Sequence, residues 1–192
     1  MKLLHIDSSA LAANSVSRTL TAAIVAGWQE KTPGLEVTYR DLDSKPLPHL
    51  THAVLTGSDT EAAEAGERAM QEFLSADIVV IGAPMYNFSI PSTLKAWFDR
   101  IAVAGRTFRY TEHGPEGLAG DKKVIIASSR GGLHAGAPSD FQEPYLRFLL
   151  GFMGITDIEF IRAEGINLSE QHRNEAVANA LASIAAPMRK AA

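Results

Sequence analysis

Serine hydroxyls and backbone amides in the segment SSALAANSVSRTL could bind a phosphate group. Ser8, Ser9, Ser15 and Ser17 precede or open a predicted helix, whose free N–H groups and positive dipole end suit an anion. The chain has neither a G-x-x-x-x-G-K-S/T nor a G-x-G-x-x-G motif, so a nucleoside triphosphate loop and a dinucleotide fingerprint are not predicted. Hydroxyls, amides and Arg18 would instead hold the phosphate. The alternative is that one serine caps the helix and the others are ordinary loop residues.

A second segment, GAPMYNFSIPSTLK at 82–95, follows the apolar run IVVI and is unusually apolar for a connecting loop. The backbone amides from Met85 to Phe88 could donate hydrogen bonds to a flat heteroaromatic ring, and the apolar side chains could form its wall. The alternative is a hydrophobic loop packed under a neighbouring helix. Packing explains the Met and Phe side chains but not Asn87 and Ser89 in the same short turn.

A third segment, SSRGGLHAGAPSD, contains a glycine pair beside two basic side chains. Gly131 and Gly132 allow a ligand close to the backbone, or a positive φ. Arg130 and His134 would place positive charge near them, which suits the carbonyl end of a ring that becomes anionic on reduction. The alternative is an ordinary glycine turn between a strand and a helix.

These three segments follow predicted strands in an alternating β-α pattern. Apolar, β-branched runs predict strands at 2–7, 35–40, 77–83, 123–129 and 157–163, and helical patterns lie at about 15–31, 60–75, 91–103, 140–153 and 169–189. Strands and helices that alternate at these lengths form a mostly parallel sheet covered by helices on both faces. Ligands of such sheets bind beyond the carboxyl ends of the strands, which is where the three segments are predicted to lie.

One segment, at about 106–122, interrupts the alternation before the fourth strand. Its alternating TFRYT and the turn signal HGPEG predict a small excursion, such as a hairpin, that stands off the sheet and could roof a pocket.

Composition narrows the class of protein. The 192 residues are 46% hydrophobic and 21% charged, with no apolar run of spanning length and no linker, which predicts a single globular domain over 1–192 and no membrane partner. The net charge of −4 without a basic run gives no sign of a nucleic-acid partner. Without cysteine there are no disulfides or thiolate metal sites, and without a secretory signal the cytoplasm is the expected location. His49 and His52 are interpreted as surface-loop residues, so no metal site is predicted.

Longer strings of the sequence resemble those of a known family. GAPMYNFSIPSTLKAWFDRI, GRTFRYTEHGPEGL, SSRGGLH, YLRFLLGFMGI and AEGI are similar, in order and through nearly the whole chain, to the bacterial FMN-dependent NADH azoreductases, also called FMN-dependent NADH:quinone oxidoreductases. The resemblance implies a flavodoxin-like α/β fold with three α/β/α layers and a five-stranded parallel sheet of order 2-1-3-4-5. It also implies a homodimer with one non-covalently bound FMN per subunit near the dimer interface.

The resemblance assigns residues to the FMN site position by position. The phosphate loop corresponds to Ser9, Ser15, Val16 and Ser17. The segment that contacts the isoalloxazine ring corresponds to Met85, Tyr86, Asn87 and Phe88, and the loop at its pyrimidine side to Ser129, Arg130, Gly131 and Gly132. Candidates for a substrate pocket are Phe108, Tyr110 and Phe152 as aromatic walls, with His134 near the carbonyl end of the ring.

The activity implied by the resemblance is two-step. NADH, the co-substrate, reduces FMN and leaves, and a quinone or an azo compound then takes the same place and is reduced, the azo compound being cleaved to amines. Hydride passes through N5 of the flavin, so no side chain is predicted to be catalytic. The alternatives are a one-electron carrier of the flavodoxin type and an FMN-binding sensor. A near-neutral charge and the aromatic excursion argue against the carrier.

Overall fold

The computed structural model describes residues 1–185 of the chain. Its strands are β1 (Lys2–Asp7), β2 (Glu36–Asp41), β3 (Ile78–Pro84), β4 (Phe108–Thr111), β5 (Gly114–Gly117), β6 (Lys123–Ser129) and β7 (Ile158–Ala163). Its α-helices are α1 (Val16–Lys31), α2 (His52–Leu55), α3 (Thr60–Ser75), α4 (Ser92–Ile101), α5 (Gln142–Phe152) and α6 (Glu170–Ala185). The five predicted strands are confirmed to within one residue. The predicted end of the last helix, at 189, lies outside the described residues.

Five of these strands form a parallel sheet of order β2-β1-β3-β6-β7. This is the predicted order 2-1-3-4-5 once the hairpin strands β4 and β5 are counted separately. Every residue of β3 is buried, as expected for a central strand covered on both faces. The strand order reverses at β1 and β3, so the loops that follow these two strands open at the point where such sheets bind ligands.

Two apolar cores lie on the two faces of the sheet. On one face α3, α4 and α5 cover the strands, with Phe73, Trp97 and Leu146 fully buried. On the other face α1 and α6 pack through residues such as Leu20 and Ile184. The three predicted layers are therefore present. Among residues 1–185, no helix is both long and apolar enough to cross a membrane.

The short helix α2 was not predicted from the sequence. It begins at His52, which was interpreted as a loop residue, and the side chain of Thr51 caps it by accepting from the backbone of Val54 at 3.3 Å. Four residues form a single turn with too few apolar positions to show helical periodicity. His49 and His52 are both exposed, in agreement with their predicted surface position.

The predicted excursion is an antiparallel hairpin in which Phe108 pairs with Gly117. Its return strand lies directly on the turn after α5. A β-carbon on Gly117 would lie 2.1 Å from the backbone nitrogen of Gly154, and Ala119 donates to the carbonyl of Met153 at 2.9 Å. Only a glycine at 117 permits this backbone contact, which fixes the hairpin to the end of α5.

We therefore expect Gly117→Ala to lower the free energy of unfolding by about 1–3 kcal/mol, since the added methyl group forces two backbone segments apart. Gly27→Ala is the control. Gly27 lies inside α1 with no atom within 4 Å of its virtual β-carbon, so alanine there is expected to stabilise the helix by about 0.5–1 kcal/mol. Urea unfolding measures both changes, and an unchanged stability of Gly117→Ala would contradict the contact.

Candidate functional site

The first predicted loop ends at the N-terminus of the 16-residue helix α1. Ser15 caps this helix by accepting from the backbone N–H of Arg18 at 3.2 Å, and its hydroxyl lies 3.1 Å from that of Ser17. The N–H groups of Val16 and Ser17 donate to no acceptor within residues 1–185. Two free amides, two hydroxyls and a helix dipole at one point form a suitable anion site. Ser15 serves as both the cap and a part of this site.

Arg18 does not act as the free phosphate ligand that was considered from the sequence. Its two terminal nitrogens donate to the carboxylate of Asp41 at 2.9 and 2.7 Å, and Nη2 also donates to the carbonyl of Ser9 at 3.0 Å. Hydrogen bonds from Arg18 lower the pKa of Asp41, which keeps that carboxylate charged. The positive charge of Arg18 is thus compensated. Its side chain connects the first loop, at Ser9, to Asp41 at the end of β2.

The second predicted loop is a tight two-residue turn. Tyr86 and Ser89 exchange backbone hydrogen bonds of 2.9 and 3.1 Å, while Asn87 and Phe88 have φ values of +50° and +69°. Two consecutive left-handed residues between paired ends match a type I′ turn. Asparagine tolerates this conformation, but a bulky aromatic residue rarely adopts it. The half-exposed Phe88 is therefore a strained residue at the sheet edge, which is typical of functional sites.

The amides of this turn are only partly available to a ligand. Of the amides between Met85 and Phe88 that were considered as donors to a ring, two already have acceptors in the protein, because Met85 donates to Ser129 at 2.8 Å and Tyr86 donates to Ser89. The amides of Asn87 and Phe88 have no acceptor among the described residues. A cavity of about 490 Å³ opens beside the turn and is lined in part by Tyr86 and Asn87.

The side chain of Tyr86 joins the first two loops. Its hydroxyl oxygen accepts from the backbone N–H of Ala10 at 3.1 Å and shares a hydrogen bond of 3.2 Å with the hydroxyl of the fully buried Ser9. The anion site and the aromatic turn are thus held next to each other, as a ligand with a phosphate and a flat ring would require.

The third loop follows β6, whose last residue, Ser129, is buried. The carbonyls of Gly131 and Gly132 accept from the backbone of Asn167 and Gly165, whereas their own N–H groups donate to no acceptor in the described part of the chain. Neither glycine has a positive φ, so of the two uses considered from the sequence the close approach of a ligand to the backbone stays a prediction. A β-carbon on Gly131 would lie 2.7 Å from Nδ2 of Asn167 and one on Gly132 would lie 2.9 Å from Nε2 of His134, so a larger residue at either position would displace one of these side chains.

Arg130 does not present its charge to a ligand, contrary to the prediction. Its side chain has no exposed surface, and Nη1 lies 2.9 Å from Asp140 and 3.3 Å from Glu164. Burial raises the pKa of Asp140, but hydrogen bonds from the backbone of Glu143 and from Arg130 outweigh that effect and lower it. The positive charge of Arg130 is therefore neutralised beneath the loop, which leaves backbone amides as the donors at this end.

His134 does lie beside the aromatic turn. Its ring meets that of Phe88 edge to face, with centroids 5.7 Å apart, and its Nδ1 is 2.9 Å from the hydroxyl of Ser139. The structure thus brings the second and third loops together through these two rings.

The other aromatic candidates form a separate group. Phe108 packs against Phe152 with centroids 4.5 Å apart and against Tyr110 at 5.6 Å. Phe108 is buried, whereas Tyr110 is 75% exposed. No ring pair within residues 1–185 links this group to Phe88 or His134. Phe108 and Phe152 anchor the hairpin on α5, and the substrate contacts of all three residues stay a prediction.

Comparisons with known proteins agree with this geometry. The family model described as "Flavodoxin-like fold" matches residues 1–187. The FMN-dependent NADH:quinone oxidoreductase 1 of Xanthomonas euvesicatoria pv. vesicatoria is 64% identical over 184 residues, which cover 96% of this chain and 95% of that protein. An FMN-dependent NADH:quinone oxidoreductase 2 of Pseudomonas aeruginosa is 55% identical, with 96% and 97% covered. The chain belongs to the FMN-dependent NADH:quinone oxidoreductase family. A solved azoreductase from Bacillus anthracis superposes with a TM-score of 0.88 at 30% identity, covering 96% of this chain and 97% of that one.

The donor groups fit the cofactor from which the quinone oxidoreductase family takes its name. FMN combines a phosphate with a flat ring that carries acceptor atoms. The free amides at the start of α1 suit the phosphate, and the free amides of the Asn87–Phe88 turn and of Gly131–Gly132 suit ring acceptors. The residue assignments for FMN stay predictions, and these free amides support them.

Glu164, Asp140 and Asn167 are the residues of this edge that the sequence interpretation missed. Glu164 directly follows β7, an edge strand next to β6, so it lies at the same edge of the sheet but outside the loops that the sequence analysis selected. Asp140 and Asn167 lie further along the loops and carry no such signal.

The strained turn of this oxidoreductase-family site can be tested at Phe88. Phe88→Ala and Phe88→Gly both remove the ring, so both are expected to weaken FMN binding by a similar factor. Glycine adopts a positive φ without strain, so the Gly protein should be more stable than the Ala protein by about 1 kcal/mol. Urea unfolding of the apoproteins and FMN titration measure the two effects. Equal stabilities would show that the left-handed conformation costs nothing at this position.

Proposed function

We propose that this protein is an FMN-dependent oxidoreductase that transfers reducing equivalents from NADH to quinones and to azo compounds. The observation that carries the proposal is the set of free backbone amides along one sheet edge, at the start of α1, in the Asn87–Phe88 turn and at Gly131–Gly132, in a chain 64% identical to a quinone oxidoreductase. Bound there, FMN supplies the hydride-transfer chemistry.

The start of α1 would hold the phosphate. The free amides of Val16 and Ser17 would donate to the phosphate, and the hydroxyls of Ser15 and Ser17, 3.1 Å apart, can turn toward the same oxygen atoms. The charge of Arg18 is compensated by Asp41, so the helix dipole and these donors supply the attraction to the anion.

The two other loops would orient the ring. The amides of Asn87 and Phe88 would donate along one side, and the amides of Gly131 and Gly132 would donate at the pyrimidine end. Fixed donors at that end would favour the reduced, anionic state of the ring, because they stabilise its negative charge without having to reorganise. No carboxylate, thiol or imidazole has to take part in the hydride step.

The exposure of Phe88 supports successive use of one place by two substrates. Phe88 is 52% exposed, so a nicotinamide ring could stack on it, leave, and be replaced by a flat quinone or azo compound. Tyr110, in the separate aromatic group, is 75% exposed and is a second ring on which a flat substrate could stack. Phe108 and Phe152 would support these walls from behind. His134 is the polar group that stands beside Phe88.

We expect NADH, added without oxygen to the FMN-loaded protein, to bleach the flavin absorption, and a quinone added afterwards to restore it. Stopped-flow absorbance measures both steps, and steady-state rates should follow ping-pong kinetics. A flavin that NADH cannot bleach would favour the alternatives of a one-electron carrier or a sensor and would contradict the proposal. Recovery with oxygen but not with quinones or azo dyes would contradict the substrate assignment.

We also propose that the protein is a homodimer. Helix α5 and the residue before it place Phe141, Tyr145, Phe148 and Phe152 on one face, since these positions are four, three and four residues apart. Phe141 is 63% and Phe148 is 77% exposed. Tyr145 and Phe152 are partly buried against the core, and two exposed rings beside them are typical of an interaction surface. It continues through Phe152 to the hairpin, so a second copy bound there would also border the site.

Phe148→Glu is expected to convert the dimer to a monomer, because it would bury a carboxylate against an apolar surface. Ala22→Glu is the control, since Ala22 is exposed on α1 at the opposite face of the sheet. Sedimentation equilibrium of the three proteins measures the association. A monomeric parent protein, or a dimeric Phe148→Glu variant, would contradict the proposed surface.

The single domain over 1–192, the cytoplasmic location and the lack of a nucleic-acid partner stay predictions. The continuity of one sheet from β1 to β7 supports the first of them.

A further inference from the structure

The carboxylate of Glu164 lies at the centre of the loop that follows β6. Its Oε1 accepts from the backbone N–H groups of His134 at 2.8 Å and Ala135 at 2.9 Å, and from Nη1 of Arg130 at 3.3 Å. The side chain is only 19% exposed. Oε1 of Glu164 therefore contacts both ends of segment 130–135, through the side chain of Arg130 at one end and the backbone of His134 and Ala135 at the other.

The backbone after Glu164 determines which way the glycine amides of that segment point. The chain turns at Gly165, whose φ is +72°, and the amides of residues 165–167 donate to the carbonyls of Gly132, Arg130 and Gly131 at 2.9–3.1 Å. In a trans peptide, the N–H of one residue points opposite to the carbonyl of the residue before it. Because the Arg130 and Gly131 carbonyls point toward 165–167, the Gly131 and Gly132 amides point away from it.

We propose that Glu164 is a positioning residue for the flavin ring, acting through segment 130–135 without contacting the ligand. This inference rests on the proposed function, since it takes the Gly131 and Gly132 amides as donors to the ring. The partly buried carboxylate of Glu164 has two effects. It accepts hydrogen bonds from the amides of His134 and Ala135 and so holds that end of the segment in place. Together with Asp140 it also balances the charge of the fully buried Arg130.

Removing the carboxylate would leave two loop amides without their acceptor and the buried guanidinium with one fewer partner. Water would then have to solvate these groups, and we expect the segment to move away from residues 165–167 as water enters. The Gly131 and Gly132 amides would lose their common direction. The phosphate site at α1 lies on other elements and would keep its geometry, so the loss should depend on the ring and not on the phosphate.

The experiment compares the affinity of apoproteins for FMN and for riboflavin, which lacks the phosphate, by flavin fluorescence at a temperature where each variant is folded. We expect Glu164→Ala to raise the Kd of both flavins by the same factor, about tenfold. Glu164→Gln should raise both less, because its amide oxygen can still accept from the loop. Ser17→Ala should weaken FMN binding and leave riboflavin binding unchanged.

Glu159→Gln is the matched control. Glu159 lies on β7, is more exposed than Glu164, and pairs with Lys123 at 3.2 Å, so this variant loses one charge and one ion pair away from the loop. Its Kd values should equal those of the parent. A larger Kd for the Glu164 variants than for Glu159→Gln would then show that the effect comes from the displaced loop. It would not come from the general loss of a carboxylate in or next to β7.

A folded Glu164→Ala protein with a lower melting temperature but unchanged Kd values would overturn the inference, because Glu164 would then only stabilise the fold. A loss confined to FMN would also overturn it, because the defect would lie at the phosphate. Where Glu164→Ala does not fold, the comparison of Glu164→Gln with Glu159→Gln decides in the same way. A parent protein that binds neither flavin would overturn the proposed function and this inference with it.

Discussion

The charge of Arg130 must be compensated inside the protein, because its side chain has no exposed surface. That requirement brings together parts of the chain that are distant in sequence. The guanidinium reaches Asp140 before α5, Glu164 after β7 and the hydroxyl of Ser128 in β6. A buried charge that lost one of these partners would be strongly destabilising, so the network defines a single arrangement of the sheet edge. The ligand-facing backbone rests on this arrangement.

The site above this network is built mainly from backbone groups. Where side chains were expected to supply charge, at Arg18 and Arg130, the structure pairs each with carboxylates. What remains available are amides whose directions are set by their neighbours. Such donors need no side-chain ordering when a ligand binds, so less conformational entropy is lost. The hydroxyl of Tyr86 connects the first two loops, and the ring contact of Phe88 with His134 connects the second and third, so the three loops are held next to one another.

The sequence by itself determined the architecture and which loops share one edge of the sheet. Short runs rich in β-branched and apolar residues predicted the five sheet strands to within one residue, because such residues favour strands and the segments between these runs have helical periodicity. The alternation of strands and helices implied a parallel sheet, and a parallel sheet places the loops after β1, β3 and β6 at the same edge. Ser15 as a helix cap and the 106–122 hairpin were also predictable, since both depend on local residue preferences.

Only the tertiary structure decided what each residue does at that edge. The pairing of Arg18 with Asp41 and of Arg130 with Glu164 joins residues 23 and 34 positions apart. Such pairings depend on the order in which the strands pair in the sheet, and a local sequence pattern does not reveal that order. The same holds for Gly131, because its missing side chain leaves room for the side chain of Asn167 and its own φ is not positive. Sequence patterns indicate which residues can donate hydrogen bonds and where the backbone can turn. The direction of an amide is set by carbonyls and carboxylates that are distant in sequence but close in the fold.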